Sequence, residues 1–219
     1  MTRPASTAAT RALVVANGEL PSRRLVQELA AAAGLVIAAD GGADRALAAG
    51  VEPSVVVGDL DSVSDAARER LAQAEFLLDD DEHSTDLEKA VRLAVERGAT
   101  RVDVVAAGGA RADHALANLS VIVRFRGKAD VHIVDDLFDI RLVDGAATVD
   151  AEPGTVVSLV AIGTCSGLTT SGLRWDLDGV TLDFSPRGIH NEVRERPATV
   201  RVAAGTLLLF EGRWVEPHR

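Results

Sequence analysis

Asp59 and Asp61 stand one residue apart, directly after the apolar run Val55-Val56-Val57 and Gly58. Residues i and i+2 of an extended or turning backbone project to the same side, so the two carboxylates aim at one point. Like charges held together cost free energy unless a proton or a cation lies between them. Mg²⁺ suits carboxylate oxygen and often shares it with substrate phosphates. A solvated acidic turn would carry the same residues, so this motif alone leaves both readings open. Elsewhere Asp40 precedes Gly41 and Gly42, Thr85 precedes Asp86, and Gly108-Gly109 precedes Arg111, Asp113 and His114. Glycine lets backbone N–H groups approach an anion. Helix N-termini attract phosphate, and a guanidinium can clamp its oxygens in a bidentate way. Plainer readings exist for each: strand-to-helix turns for the glycine pairs, a helix cap for Thr85, an exposed ion pair for Arg111 and Asp113.

The elements that must position these residues follow from periodicity. Apolar runs at 13–16, 35–39, 55–57, 76–78, 102–106 and 131–134 read as strands. Helices are expected at 22–33, through Leu47 to Gly50, at 65–74, from the capping-box pattern Thr85-Asp86-Leu87-Glu88 to Gly98, and at 113–125, where Leu116, Leu119 and Val123 share a face. This alternation predicts an α/β domain over residues 11–144, a mostly parallel, Rossmann-like sheet with helices on both faces. Ligands of such sheets bind beyond the carboxyl ends of the strands. Asp40, Asp59 with Asp61, Thr85 with Asp86, and the 108–114 segment all follow strands, and so many carboxylates on one edge call for a cation.

Past Asp144 the helical period is lost. Short strands at 155–162, 168–173, 180–184, 199–202 and 206–210, punctuated by Gly, Pro, Asp and Ser, predict a small antiparallel β-sandwich or roll over residues 153–219. The boundary is expected between Asp144-Gly145 and Pro153-Gly154.

With 219 residues, 47% of them hydrophobic, the chain can build a sizeable core. Its net charge of −10 argues against nucleic-acid and anionic-membrane surfaces and suits contact with polyphosphate through a bridging metal. Cys165 is the sole cysteine, which excludes an intrachain disulfide and makes a reducing, cytoplasmic location the simplest expectation. No apolar run is long enough to span a bilayer, and residues 1–10 read as a disordered tail without a signal-peptide core. No G-x-G-x-x-G follows the first strand, which removes a Rossmann-type oxidoreductase.

The succession ADGGADRAL from Ala39, VVGDLDSV from Val56, STDLEKAV from Ser84 and RADHALANL from Arg111 resembles the thiamine pyrophosphokinase family. SGLTTSGLRWDL from Ser166 is similar to that family's Gly-Leu-x-Trp segment, and RGIHNEV from Arg187 to its Gly-Ile-Ser-Asn-Glu turn. The resemblance spans nearly the whole chain in order. It implies a homodimer with active sites between subunits, an α/β nucleotide-binding catalytic half and a β-sandwich thiamine-binding half. The implied reaction transfers the pyrophosphoryl group of ATP to the primary alcohol of thiamine, releasing AMP, with Mg²⁺ as cofactor.

On that resemblance Asp59, Asp61 and Asp86 are the catalytic and metal-binding carboxylates. Asp40, Gly41, Gly42, Thr85, Gly109, Arg111, Asp113 and His114 contact the nucleotide. Trp175, His190 and Asn191 fall on the thiamine segments. A flat cationic heterocycle suits an aromatic face, and Trp175 is one of only two tryptophans in a chain without tyrosine; a core position for it is the competing expectation.

Two positions depart from the family pattern. His83 stands where an Asp two residues before the Thr is usual, and His190 replaces the Ser of Ser-Asn-Glu. They raise two rival readings: a pyrophosphokinase for another heterocyclic alcohol such as a hydroxymethylpterin, and a catalytically silent nucleotide- or thiamine-binding module. Crowded carboxylates speak against the silent module. His132 and His218 read as structural.

Overall fold

The computed structural model describes residues 10–109 and 111–215. Most of the expected N-terminal tail, and His218, lie outside the described residues; Thr10 already belongs to the first strand. The chain divides into two compact units, residues 1–135 and 136–219.

The first unit alternates β1 (Thr10–Val15), α1 (Arg23–Ala32), β2 (Leu35–Ala39), α2 (Gly42–Ala49), β3 (Val55–Gly58), α3 (Asp65–Arg70), β4 (Glu75–Leu78), α4 (Asp86–Glu96), β5 (Ala99–Val105), α5 (Ala112–Arg124) and β6 (Asp130–Val134). Its strands run in the order β4-β3-β2-β1-β5-β6, and every pairing among them is parallel. Consecutive residues 12–15 and 55–57 are all buried. Side chains alternate between faces along a strand, so this sheet is covered on both.

The strand order reverses between β1 and β5, which makes a crevice at their carboxyl ends the natural ligand position. The loops leaving these two strands are zipped together: Gly18 N–H donates to Ala106 O at 2.8 Å and Glu19 N–H to Gly108 O at 2.9 Å. A Cβ on Gly18 would lie 2.1 Å from Gly108 O. No other residue permits that approach.

Two helices differ from expectation. α3 stops at Arg70, after which Ala74 N–H turns back to Leu71 O at 2.8 Å and sends the chain into β4. α5 buries Val121 and Ile122, while of the expected Leu116, Leu119 and Val123 face Leu119 and Val123 are half-buried. Asn118 Nδ2 donates to Ala107 O at 2.7 Å, and Leu116 is exposed.

The second unit is antiparallel: β7 (Phe138–Val143), β8 (Ala146–Val149), β9 (Thr155–Ser171), β10 (Val180–Asp183), β11 (Asn191–Glu192), β12 (Ala198–Arg201) and β13 (Ala204–Val215). The order is β7-β13-β9-β12-β8, with β10 and β11 also on β9. Strand periods at 155–162 and 168–173 are halves of one 17-residue strand, whose first part pairs with β13 and last part with β12. Residues 136–144, expected to close the first domain, belong to this unit and carry β7, and β8 lies inside the expected boundary segment. Its core gathers Leu159, Leu168, Leu182, Leu207 and Leu209.

Candidate active site

A cleft of about 1090 Å³ opens along the carboxyl edge of the parallel sheet. Among its lining residues are Asp40, Asp59, Asp61, Thr85, Asp86, Gly109, Arg111 and His114. Gly41, Gly42 and Asp113 do not line it. Trp175, His190 and Asn191 belong to the second unit.

Strand register explains why three carboxylates meet. Ala39 of β2 lies opposite Val57 of β3, so Asp40 and Asp59 leave adjacent strand ends. Asp61 returns beside them, and oxygens of Asp40, Asp59 and Asp61 lie within 4.8 Å of one another. Backbone donors hold the group: Ser62 N–H reaches Asp40 Oδ1 at 3.2 Å and Asp61 N–H reaches Asp59 Oδ1 at 3.3 Å. The Ser62 hydroxyl donates to Asp61 Oδ1 at 2.8 Å. Asp40 is buried, and that burial raises its carboxyl above the usual range; hydrogen bonds from Gly41 and Ser62 oppose the rise, and the charge of Asp86 adds to it.

Gly58 packs between two of these acids. It has φ +148°, and a Cβ there would come within 2.9 Å of Asp86 Oδ1 and 3.0 Å of the Asp40 Cβ. Left-handed backbone at non-glycine residues occurs at Asp40 (φ 46°), Leu60 (φ 63°), Ala106 (φ 57°) and His190 (φ 61°) among the described residues. The first three sit at strand ends around the cleft. Strain of this kind persists where surrounding structure over-determines it, and functional sites collect it. The Gly41-Gly42 pair has a packing reason: a Cβ on Gly42 would lie 2.1 Å from Val15 O, and one on Gly41 2.3 Å from Asn17 Nδ2.

Asp86 stands apart from the three-carboxylate group. It opens α4, where Thr85 Oγ1 caps the helix by accepting from Glu88 N–H at 3.2 Å. The Glu88 carboxylate goes to Arg124. Asp86 Oδ1 accepts from Lys89 Nζ at 3.0 Å. Lys89 is only 4% exposed. Burial is the largest influence on its ammonium and lowers its pKa, but the hydrogen bond and charge of Asp86, with Asp79 and Asp59 behind, outweigh it and raise the pKa. Lys89 was not singled out from sequence, though its place three residues after Asp86 puts both on one helix face.

Arg111 and Asp113 form the exposed pair that was one of the two readings, with contacts of 2.6 and 3.2 Å. The Arg111 hydrogen bond holds the Asp113 carboxyl down at about 2. His83 is exposed and outside the cleft lining, but Asp81 lines the cleft. Asp81 is held below the usual carboxylate range by the Ser84 hydroxyl and the His83 N–H. Asn17, Glu19, Arg45 and Asn118 also line the cleft and were not anticipated; the Asn17-Gly18 turn signal after the first strand was the available clue.

In the second unit Trp175 is 53% exposed. It lies in the turn after β9, because Gly172 takes φ +82° and Asp176 accepts from the N–H groups of Gly172 and Leu173 at 3.2 and 3.0 Å. The core expectation for Trp175 is thereby removed. Asn191 is buried beside it, while His190 is exposed and its N–H donates to Ser158 Oγ at 2.9 Å.

Fold and site define a class: a parallel α/β unit whose carboxyl edge can hold a divalent ion and a polyphosphate, in one chain with an antiparallel β unit. Within that class the chain belongs to the thiamine pyrophosphokinase family. The thiamin pyrophosphokinase catalytic domain matches residues 26–134, and the thiamin pyrophosphokinase vitamin B1 binding domain matches residues 147–207. Thiamine pyrophosphokinase 1 of Arabidopsis thaliana is 30% identical over 226 residues, covering 89% of this chain and 84% of that protein. Thiamine pyrophosphokinase 3 of Oryza sativa subsp. japonica is 29% identical over 92% of this chain and 86% of its own.

The same fold occurs in the crystal structure of thiamine pyrophosphokinase from Bacillus subtilis, with TM-score 0.81, 23% identity and coverage of 93% of this chain and 99% of that one. It occurs again in yeast thiamin pyrophosphokinase, with TM-score 0.79, 16% identity and coverage of 95% and 88%.

Proposed function

We propose that the protein transfers the pyrophosphoryl group of ATP to the primary alcohol of thiamine, giving thiamine diphosphate and AMP. The observation that carries this reading is the convergence of Asp40, Asp59 and Asp61 within 4.8 Å, in a chain of this family. Relatives named for thiamine favour it over a hydroxymethylpterin acceptor, and the crowded carboxylates favour it over a silent module. AMP formation from ATP and Mg²⁺, with and without thiamine, tests it.

Three carboxylates at this separation fit a hard, oxygen-seeking divalent cation. Asp40, Asp59 and Asp61 would hold Mg²⁺, with Asp86 beside them. Bound there, the ion neutralises charge on the polyphosphate. This chain's own part is positioning and electrostatics, as phosphoryl-type transfer requires. Arg111 and the Gly108-Gly109 loop face the polyphosphate, and Lys89 supplies a buried positive charge in an acidic cleft. We read Gly41, Gly42, Thr85, Asp113 and His114 as the nucleotide-side surround, and Trp175, His190 and Asn191 as the thiamine side.

Four further expectations belong to this reading. The parallel unit is Rossmann-like and catalytic. The antiparallel unit is a sandwich that binds thiamine. The protein is a homodimer with active sites at the subunit interface, for which light scattering on the purified chain is the test. Its location is cytoplasmic; no helix among the described residues is long and apolar enough to cross a membrane.

A further inference from the structure

Trp175 combines an exposed ring with a backbone tied down from two sides. Asn191 clamps it directly: Asn191 Oδ1 accepts from Trp175 N–H at 3.1 Å, and Asn191 Nδ2 donates to Trp175 O at 2.8 Å. The same Oδ1 accepts from Glu192 N–H at 2.9 Å, so the amide oxygen is fully used. Next to this, Arg174 N–H donates to Glu192 O at 2.8 Å. The Arg174 side chain returns to the Glu192 carboxylate, with Nη1 3.1 and 3.2 Å from its two oxygens. On the other side Asp176 fixes the turn and takes the Thr170 hydroxyl at 3.1 Å. The guanidinium carbon of Arg174 lies 4.7 Å from the centroid of the Trp175 ring.

An indole has two faces, and a planar guanidinium stacked on one of them covers it. The mostly buried Glu192 carboxylate holds that guanidinium in place. We propose that Arg174, locked by Glu192, is a positioning residue that backs Trp175 and confines a flat cationic heterocycle to the opposite face of the indole. This rests on the reading that Trp175 meets thiamine. Asn191 then acts through Trp175, by holding its backbone.

The test uses the full chain with Trp214→Phe, which leaves Trp175 as the sole tryptophan. Acrylamide quenching of the ligand-free protein reads how much of the ring is open, and steady-state kinetics reads the substrate. Arg174→Ala should raise the quenching constant about two-fold, since a covered face opens. It should raise the KM for thiamine about three-fold, the scale of an exposed cation–π contact, and leave the KM for ATP unchanged, with a lower melting temperature because the mostly buried Glu192 carboxylate loses its partner. Arg174→Lys, which keeps the charge without the planar fork, should fall between.

Unchanged quenching would show that Arg174 does not cover the ring. Unchanged thiamine KM would show that the covering positions nothing. A lower thiamine KM would make Arg174 a plug that the substrate displaces, which also overturns the proposal. If the unsubstituted chain forms no AMP in response to thiamine, the functional reading fails and the ligand half of the proposal falls with it. The quenching result still decides whether Arg174 backs the ring.

Discussion

Asp61→Asn should make the ligand-free protein more stable and the enzyme nearly inactive. Oxygens of Asp40, Asp59 and Asp61 lie within 4.8 Å of one another. Two unit charges at that distance repel by about 0.9 kcal/mol in water, and physiological salt takes away about half. Asp61 takes part in two such pairs, so removing its charge relieves about 1 kcal/mol. Asparagine keeps the oxygen that accepts from the Ser62 hydroxyl, so little is lost in exchange. For a chain of this length that gain raises the melting temperature by about 2–4 °C.

The same substitution removes one ligand from the proposed Mg²⁺ site. About 2.7 kcal/mol of lost transition-state stabilisation would lower turnover about 100-fold, and half-saturation should need more Mg²⁺. Thermal melts without ligand, and AMP release across a Mg²⁺ titration, measure both effects on one preparation. Full activity would refute the metal assignment. A melting temperature several degrees lower would refute the electrostatic argument, because the carboxylate would then be a structural element of the turn.

Four other outcomes follow. Arg111→Ala should raise the KM for ATP more than the KM for thiamine in kinetics varying each substrate, whereas a purely thiamine-side defect would move Arg111 to the other half of the reaction. Gly42→Ala should lose several kcal/mol in denaturant unfolding, because its Cβ would sit 2.1 Å from Val15 O. Trp175→Ala should raise the thiamine KM several-fold while the ligand-free melting temperature holds, since about half of the residue is already exposed. Asp130 is held down at about 2, chiefly by its hydrogen bond with His132, with burial opposing and His132 and Arg101 charges assisting. A carboxylate depressed on folding adds stability above its unfolded value, near 4, and loses it as pH falls toward 2. Asp130→Asn should therefore cost about 1 kcal/mol at pH 7, after allowing for the exposed side chain, and the deficit should vanish in melts taken between pH 4 and pH 2.

Much of this architecture is legible in the residues. Val55-Val56-Val57 followed by Gly58 announces a buried strand ending in a turn, and Asp59 and Asp61 do converge as their i, i+2 spacing requires. Their third partner was harder to see. Asp40 joins them through the β2–β3 register, a pairing that local periodicity does not encode. Lys89 was hidden by its type, since lysine in a helix pattern reads as solvated surface, yet this one is buried against Asp86.

The second half was less legible for a different reason. Phe138-Asp-Ile-Arg-Leu-Val alternates apolar and polar residues, a strand signal that follows β6 with no glycine or proline to mark a change of unit. Gly163 and Gly167 interrupt the 155–171 pattern and read as turns, although one strand passes through them. The type of Trp175 suits a core position as well as a ligand contact. Its position is decided by the local turn that Asp176 holds and by Asn191, whose hydrogen bonds come from a strand further along the chain.

Incubating the purified chain with ATP, Mg²⁺ and thiamine and separating the nucleotide products decides whether it is a pyrophosphokinase for thiamine. AMP and thiamine diphosphate should appear in equal amounts, no AMP should form without thiamine, and both products should be lost in Asp61→Asn. Release of ADP, AMP formed equally without thiamine, or faster turnover of a hydroxymethylpterin than of thiamine would contradict it.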